Sequence, residues 1–245
     1  MSIHLIMPMG GSGSRFSERG FDLPKPLIPI HDRPFFYWAT ESVRKFIKLK
    51  SLTFVVLNEH VKQYGIDKVI LQFYPEARIH ILDHVLEGAV LTCLEGVKSI
   101  NDGAPVLFND CDHIFTCNEF YKFCEIGKFD DIDGSLLTFY SADPKYSFLE
   151  LDNGGYVIRT AEKEVISNEA VCGAYFFRNR KIFEQSSSVY LNECTYKEFF
   201  LSGVYNIMAC HKMRIKSFKV EMHLPFGTPD EYDAALKSEA FKIFL

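Results

Sequence analysis

Four short apolar runs recur along the first half of the chain: "IHLIM" (3–7), "LTFVVL" (52–57), "RIHIL" (78–82) and "PVLFN" (105–109). Each is too short for a helix and is separated from the next by a stretch with helical spacing. These spacers are "RPFFYWATESVRKFIKL" (33–49, with Pro34 near its start), "EHVKQYGIDKVILQFY" (59–74) and "GAVLTCLEGVKSI" (88–100). Strands joined through helices cannot be hairpin partners. They imply right-handed βαβ crossovers and an α/β fold with a mainly parallel central sheet. After about residue 134 the pattern changes. "SLLTFYS" is strand-like, and "YSFLELDNGGYVIRTAEK" predicts a hairpin around Asp152-Asn153-Gly154-Gly155. A strand at 171–177, a helix over 196–210 and a strand at 214–220 follow. No linker, repeat or low-complexity segment interrupts the chain. A single domain over 1–245 is expected, with residues 1–133 and 134–245 as two halves closing on each other.

Composition supports such a core and excludes several alternatives. Hydrophobic residues make up 47% of the 245 residues, with 23 Phe and 12 Tyr, so staples are unnecessary. The 7 cysteines are odd in number and lack zinc-finger or C-x-x-C spacing. They are expected to be reduced and mostly buried, as in a cytoplasmic protein. No charged region followed by a long apolar run opens the chain, and no apolar stretch could span a membrane. A net charge of −5 argues against duplex nucleic acid as a partner. It leaves open a small anion held by a few local cations and amides.

The first apolar run leads into "MPMGGSGSRFSERGFDLPKPLIPI" (7–30). A loop leaving the C-terminal edge of a parallel strand is where α/β proteins place ligands. Glycines there let backbone N–H groups approach an anion without an intervening Cβ. Two phosphate-loop patterns fail. The Walker pattern lacks its lysine, and the dinucleotide G-x-G-x-x-G would need glycine where Phe16 stands. What remains is G-x-G-x-R, with Arg15 suited to a polyphosphate; a flexible turn with a solvated arginine is the competing reading. Pro24 and Pro26 are expected to hold Lys25 in extended backbone.

Together the two pieces resemble G-x-G-x-R followed by Leu or Phe and then P-K-P-L, the signature of nucleotidyltransferases that make sugar nucleotides and related CDP compounds. The resemblance is strongest over residues 3–38 and 104–116. It implies a Rossmann-like, GT-A type three-layer sandwich with a small antiparallel region on the substrate side. It also implies that Met9, Gly10, Gly11, Ser12, Gly13 and Ser14 bind a nucleoside triphosphate, with Arg15 and Lys25 acting on its phosphates. "LEGAVLTC" (86–93) is similar to the helix start facing the base, which points to Glu87 and Gly88; a plain glycine at a helix N-terminus reads the same way.

Asp110 and Asp112 flank Cys111 just after a strand, over the edge that carries the glycine loop. Magnesium takes hard oxygen ligands, usually one or two carboxylates plus substrate phosphates. By the resemblance Asp112 is the Mg²⁺ ligand and Asp110 its neighbour; an Asp-rich turn capping a helix near Asn118 is the alternative. "TAEK" (160–163) resembles an E-K motif whose lysine, here Lys163, holds the acceptor's phosphate, although Glu164 replaces the usual proline. "VCGAYFF" (171–177) resembles the strand whose glycine, here Gly173, lies beside the acceptor; a core strand with one glycine would look alike. "FGTPDEY" predicts a helix with Thr228 as N-cap, Pro229 at its first position and a capping box closed by Glu231. The family normally has an aspartate, a second metal ligand, where this chain has Pro225. The metal is then held by Asp112 and phosphates alone, or with help from Asp110, Glu221 or Asp230; impaired catalysis is the weaker alternative. His113 and His223 fall near this region without metal-ligand spacing and are expected to be structural or surface residues. Ser12 and Ser14 lack a His/Asp arrangement for nucleophilic chemistry.

The activity implied is transfer of a nucleoside monophosphate, CTP being the favoured donor, to a small phosphorylated acceptor with release of pyrophosphate. Short relatives of this kind serve capsule and cell-surface precursors, and phosphoglutamine and phosphocholine are among the acceptors considered. The apolar and aromatic content permits a homodimer. Two other classes remain open. One is a glycosyltransferase of related fold using D-C-D as a nucleotide-sugar metal motif; the other is a catalytically silent nucleotide sensor, motivated by Pro225.

Overall fold

The computed structural model describes residues 2–245. In chain order the first strands are β1 (Ile3–Met9), β2 (Pro29–Ile30), β3 (Arg33–Pro34), β4 (Leu49–Leu57), β5 (Arg78–Leu82), β6 (Val106–Asn109) and β7 (His113–Thr116). They are followed by β8 (Gly134–Tyr140), β9 (Ser147–Leu151), β10 (Val157–Glu162), β11 (Glu169–Phe177), β12 (Ile215–Lys219) and β13 (Met222–Pro225). The helices are α1 (Ser14–Ser17), α2 (Phe35–Arg44), α3 (Asn58–Tyr64), α4 (Ile66–Phe73) and α5 (Ala89–Val97). The remainder are α6 (Asn118–Ile126), α7 (Arg180–Glu193), α8 (Leu201–Cys210) and α9 (Pro229–Ala235).

Among the described residues nine strands form one mixed sheet. From β5 through β4 and β1 to β6 every pairing is parallel, as the helix-spaced runs predict. β11 then joins β6 antiparallel, and β8 and β9 pair with β11, so the later strands continue the sheet begun by the first half. Two small antiparallel pairs, β2–β3 and β7–β13, stand apart from it. Alternation along the parallel strands sorts side chains into two layers. Leu5, Met7, Phe54, Val56 and Leu107 face one cluster with residues of α2, α4 and α6. Ile6, Val55, Leu57, Val106 and Phe108 face a second with α5, α7 and α8. The result is the expected three-layer α/β sandwich. A third cluster around Phe16, Phe35, Trp38 and Phe226 ties the glycine-loop segment to the C-terminal residues.

Several elements differ from the sequence expectation for identifiable reasons. The helix expected over 33–49 is shorter, because Arg33-Pro34 pairs with β2 and Leu49 already belongs to β4. The helix expected over 59–74 is two, separated by Gly65 at φ 61, a left-handed turn that ends α3. Of 196–210, only Leu201–Cys210 is helical. Helix α7 and the four-residue strands β7 and β13 had no counterpart in the sequence reading. The hairpin at 152–155 forms as expected, with the Asp152 carboxylate accepting from the amides of Gly154 and Tyr156. The capping box on α9 is complete. All seven cysteines are free, five of them buried, and among the described residues no helix is long and apolar enough to cross a membrane.

Candidate active site

Strands β1 and β6 are parallel neighbours, so their C-terminal ends bring the glycine loop and the Asp110-Cys111-Asp112 turn to one edge of the sheet. Asn109, the last residue of β6, is fully buried and donates its side-chain amide to the Ala39 carbonyl, which anchors that turn to α2. Beyond it β7 pairs with β13 in a register that sets His113 opposite Pro225. The Phe226 amide donates to the Asp112 carbonyl at 2.8 Å. A Cβ on Gly227 would stand 2.2 Å from Asp112 Oδ2, so only glycine lets this strand approach the carboxylate so closely. Gly227→Ala is accordingly expected to displace Asp112 and lower turnover about 10²-fold or more. Helix α9, nucleated by its own capping box, should keep the thermal midpoint near wild type. Steady-state rates beside a melting curve check both.

Lys25 Nζ donates to Asp112 Oδ2 at 2.5 Å. Lys25 is not in the extended backbone its flanking prolines suggest. It opens a 3-10 turn, closed by the Leu27 amide on the Pro24 carbonyl and the Ile28 amide on that of Lys25. The hydrogen-bonded turn overrides the proline preference and aims the ammonium at Asp112. Burial works against the lysine's charge, but the Asp112 carboxylate outweighs it and holds the ammonium above the ordinary lysine range. Reciprocally, burial favours a neutral Asp112, yet Lys25 holds it below the usual carboxylate range. Asp110 is pushed up, by burial first and by the Asp112 charge second.

Two cavities adjoin here, and both are lined by Asp110. The first, of about 340 Å³, lies against Gly10, Gly11, Ser12, Glu87, Gly88 and Glu198. Among the described residues the backbone amides of Gly11, Ser12 and Gly13 donate to no other group of the chain. Two of these free N–H groups, on Gly11 and Ser12, belong to residues that border the cavity, where amides at a strand end can face an anion. The second cavity, of about 190 Å³, is lined by Arg15, Asp110, Asp112, Lys145, Glu162 and Gly173, with His113, His223 and Pro225 on its wall. Gly173, at φ 95, belongs there because a Cβ would lie 2.8 Å from Asp110 Oδ2.

Most of the site residues read from the sequence thus converge on the two cavities, and five lie elsewhere. Met9 is 2% exposed and packs in the core, so Pro8 rather than Met9 borders the first cavity. Gly13 and Ser14 turn away from it: Gly13 packs on Lys25, and Ser14 begins α1. Lys25 lines neither adjoining cavity but a separate one of about 240 Å³ behind the loop. Lys163 is exposed just past β10, in left-handed backbone at φ 57, with Nζ 5.0 Å from the Phe200 ring centroid. It does not line the second cavity, because the residue that β10 turns inward is Glu162. Its carboxylate accepts from Ser147 Oγ and from Ser202 Oγ at 2.9 Å.

The cation on that cavity is Lys145, which the sequence reading missed. It is paired at 3.0 Å with both Asp143 and Glu231. Burial opposes its charge, but hydrogen bonds to those two carboxylates hold it above the ordinary range. Arg15, exposed at the mouth, makes no ion pair among the described residues. The histidines are neither surface residues nor internally satisfied. All ring nitrogens of His113 and His223 are buried, and none makes a hydrogen bond of good geometry, although the backbone of Gly173 lies near the first ring and that of Cys172 near the second. Each such group costs about 1–3 kcal/mol in an otherwise closed protein. Burial pulls His113 down to about 4 and His223 down to about 3, so both rings are neutral at neutral pH.

Candidates for a second metal carboxylate narrow to one. The Glu221 carboxylate accepts from the Asn118 amide at the start of α6, and Asp230 pairs with Arg19 at the surface. Among the described residues no group of three or more His, Cys, Asp or Glu side chains is arranged to hold a metal. Asp110 and Asp112 nevertheless fit Mg²⁺. They are two hard-oxygen donors, the Asp112 charge raising the cost of ionising Asp110, beside loop amides where a substrate could bring the phosphate ligands Mg²⁺ prefers.

This three-layer α/β architecture, with a glycine loop beside a carboxylate pair at one sheet edge, shares the fold solved for several nucleotidyltransferases. The nucleoside-diphosphate-sugar pyrophosphorylase from Vibrio cholerae RC9 superposes with a TM-score of 0.83 at 21% identity, covering 96% of this chain and 100% of that one. The inositol-1-phosphate CTP transferase from T. maritima gives 0.76 at 15% identity, over 100% of this chain and 95% of that one. UDP-glucose pyrophosphorylase complexed with UDP-glucose gives 0.77 at 18% identity, over 99% and 100%. In sequence, the bifunctional protein GlmU of Campylobacter hominis is 21% identical over 236 residues, 94% of this chain and 51% of that protein. The chain therefore spans about half the length of this curated relative. No family model matches the sequence. At these identities the likeness establishes the fold.

Proposed function

We propose that the protein is a Mg²⁺-dependent nucleotidyltransferase, with CTP as the favoured donor and a small phosphorylated molecule as acceptor. Residues 1–133 would hold the triphosphate and 134–245 the acceptor within one catalytic unit. The observation that carries this reading is the meeting, at Asp110, of a cavity bearing the free amides of the glycine loop and a cavity bearing Arg15, Lys145 and Asp112. The fold shared with structures described as pyrophosphorylases and a CTP transferase supports it.

An acceptor phosphate is already a nucleophile, so its attack on the α-phosphorus of the triphosphate, expelling pyrophosphate, needs no general base. That suits a site with cations and amides. The loop amides of Gly11 and Ser12 position and neutralise the triphosphate. Arg15, unpaired at the mouth, adds a planar fork for the leaving phosphates. Lys25 keeps Asp112 ionised and fixed in place. Lys145 and Glu231, locked together, form the wall against which the acceptor lies. Bound Mg²⁺, held by Asp112 and Asp110, would supply Lewis-acid charge stabilisation at the transferring phosphate.

Pyrophosphate release with CTP, UTP, dTTP, GTP and ATP tests this reading against sugar 1-phosphates, inositol 1-phosphate, phosphocholine and phosphoglutamine. Release is expected to require one triphosphate, one acceptor and Mg²⁺, and to stop on addition of EDTA. Nucleotide binding without release from any pair would make the protein a silent binder, with Pro225 the reason. Consumption of a nucleotide sugar would make it a glycosyltransferase.

A further inference from the structure

The second cavity contains a recognition element that the transfer reaction leaves unused. His113 on β7 is 2% exposed, and neither of its ring nitrogens has a hydrogen-bond partner. His223 on β13 is in the same condition, and the two ring centroids are 5.4 Å apart. Both rings line the cavity beside Gly173. Several other polar side chains there are engaged, while Arg15 and Asp110 face the phosphate side. One Glu162 oxygen is held by Ser147 and Ser202, and Lys145 is tied to Asp143 and Glu231.

Packing alone does not call for imidazole at these positions. The His223 ring lies 4.2 Å from that of Phe139, and His113 stacks on Phe115 at 5.7 Å, surroundings that an apolar ring would fill without orphaned nitrogens. Instead two adjacent imidazoles without a well-made hydrogen bond line one small polar cavity. A neutral imidazole offers one donor and one acceptor. The pair therefore complements a group that both donates and accepts, such as a hydroxyl or a primary amide. A quaternary ammonium or an alkyl end would leave it unpaired.

Resting on the reading of this cavity as the acceptor side, we propose that His113 and His223 are specificity-determining residues. They read the end of the acceptor away from its phosphate and select a tail bearing a donor-and-acceptor group. The test compares glucose 1-phosphate, inositol 1-phosphate, phosphocholine and methyl phosphate as acceptors in the wild type, His113→Phe, His223→Phe and His113→Asn. In the wild type, kcat/KM for the better hydroxyl-bearing probe should exceed that for methyl phosphate and for phosphocholine by about tenfold or more, since a site built to hydrogen-bond a group rejects analogues lacking it. Either Phe variant should erase that advantage while the rate with methyl phosphate and the KM for the triphosphate stay unchanged. Asparagine, which keeps a donor and an acceptor, should restore part of it.

Equal losses with every acceptor, or a wild-type preference for phosphocholine, would overturn the assignment. If a Phe variant fails to fold, His223→Ala at an unchanged melting temperature makes the same comparison. If the wild type releases no pyrophosphate at all, the nucleotidyl-transfer reading fails. Calorimetric binding of glucose 1-phosphate and inositol 1-phosphate to wild type and variants then decides on the histidines separately, and binding unaffected by the substitutions would refute their role.

Discussion

Asp112→Asn is expected to lower kcat by about 10²–10³-fold, the loss typical when one preorganised electrostatic contact is removed from a reacting centre, with the protein staying folded. The side chain changes little in shape, and the Phe226 amide still binds the Asp112 carbonyl, so the backbone keeps its place. What disappears is the charge that pairs with Lys25 at 2.5 Å and that would ligate the metal. The two side chains retain 26% and 23% exposure, so water partly solvates the lysine left behind. A stability cost of about 1–2 kcal/mol is expected, a shift of roughly 2–8 °C in thermal midpoint for a chain of this size. Lys25→Ala should cost a similar factor in kcat by releasing Asp112 from its fixed position. The double variant should be little worse than either single one, because the residues act as a unit. Steady-state pyrophosphate release on the three variants, beside melting curves, checks all of this. Full activity in either single variant would remove the pair from the mechanism.

The largest stability effect is expected at Gly88. Its φ of 121 is a conformation that L side chains rarely adopt, and a Cβ there would stand 2.4 Å from the Phe199 amide nitrogen and 2.6 Å from its carbonyl oxygen. That closeness has a purpose. The Phe199 amide donates to the Glu87 carbonyl at 3.0 Å, and the Val90 amide donates to the Phe199 carbonyl at 3.1 Å. The segment before α8 is thereby stitched onto the start of α5, and Glu87, Gly88 and Glu198 form one wall of the triphosphate-side cavity. In Gly88→Ala, backbone strain of about 1–3 kcal/mol adds to overpacking of about 1–3 kcal/mol. Denaturant melts should show a loss of about 2–6 kcal/mol by that sum, and KM for the triphosphate should rise more than KM for the acceptor. A variant as stable as wild type would show that the 199 segment moves aside at little cost.

The nucleotide side of this arrangement was legible in the sequence because it depends on local chemistry. Apolar runs with helical spacers announce β1, β4, β5 and β6. The glycines after the first run and the aspartates after the fourth must then meet at one sheet edge. The acceptor side was less legible, because it depends on which way short strands turn their side chains. Strands of four residues such as β7 and β13 carry no readable periodicity, yet their pairing brings His113, His223 and Pro225 to the second cavity. The E-K pair shows the same limit. Strand β10 ends on Glu162, which turns inward, and the left-handed backbone at Lys163 then carries that side chain over Phe200. Lys145 lies in the turn before β9 and is fixed by ion pairs with Asp143 and Glu231, which no spacing rule links. A turn hydrogen-bonded at Pro24 and Lys25 likewise outweighed the extended preference of a residue before proline.

The most direct test of nucleotidyl transfer is ³¹P NMR of the protein with CTP, Mg²⁺ and the acceptor that performs best in the release assay. Disappearance of the triphosphate signals should be matched by free pyrophosphate and by a new pair of coupled diphosphate signals, with the acceptor's monophosphate lost in equal amount. Asp112→Asn should leave the spectrum unchanged over the same time. Conversion of CTP to CMP or CDP with the acceptor phosphate intact would show hydrolysis in place of transfer and contradict the account.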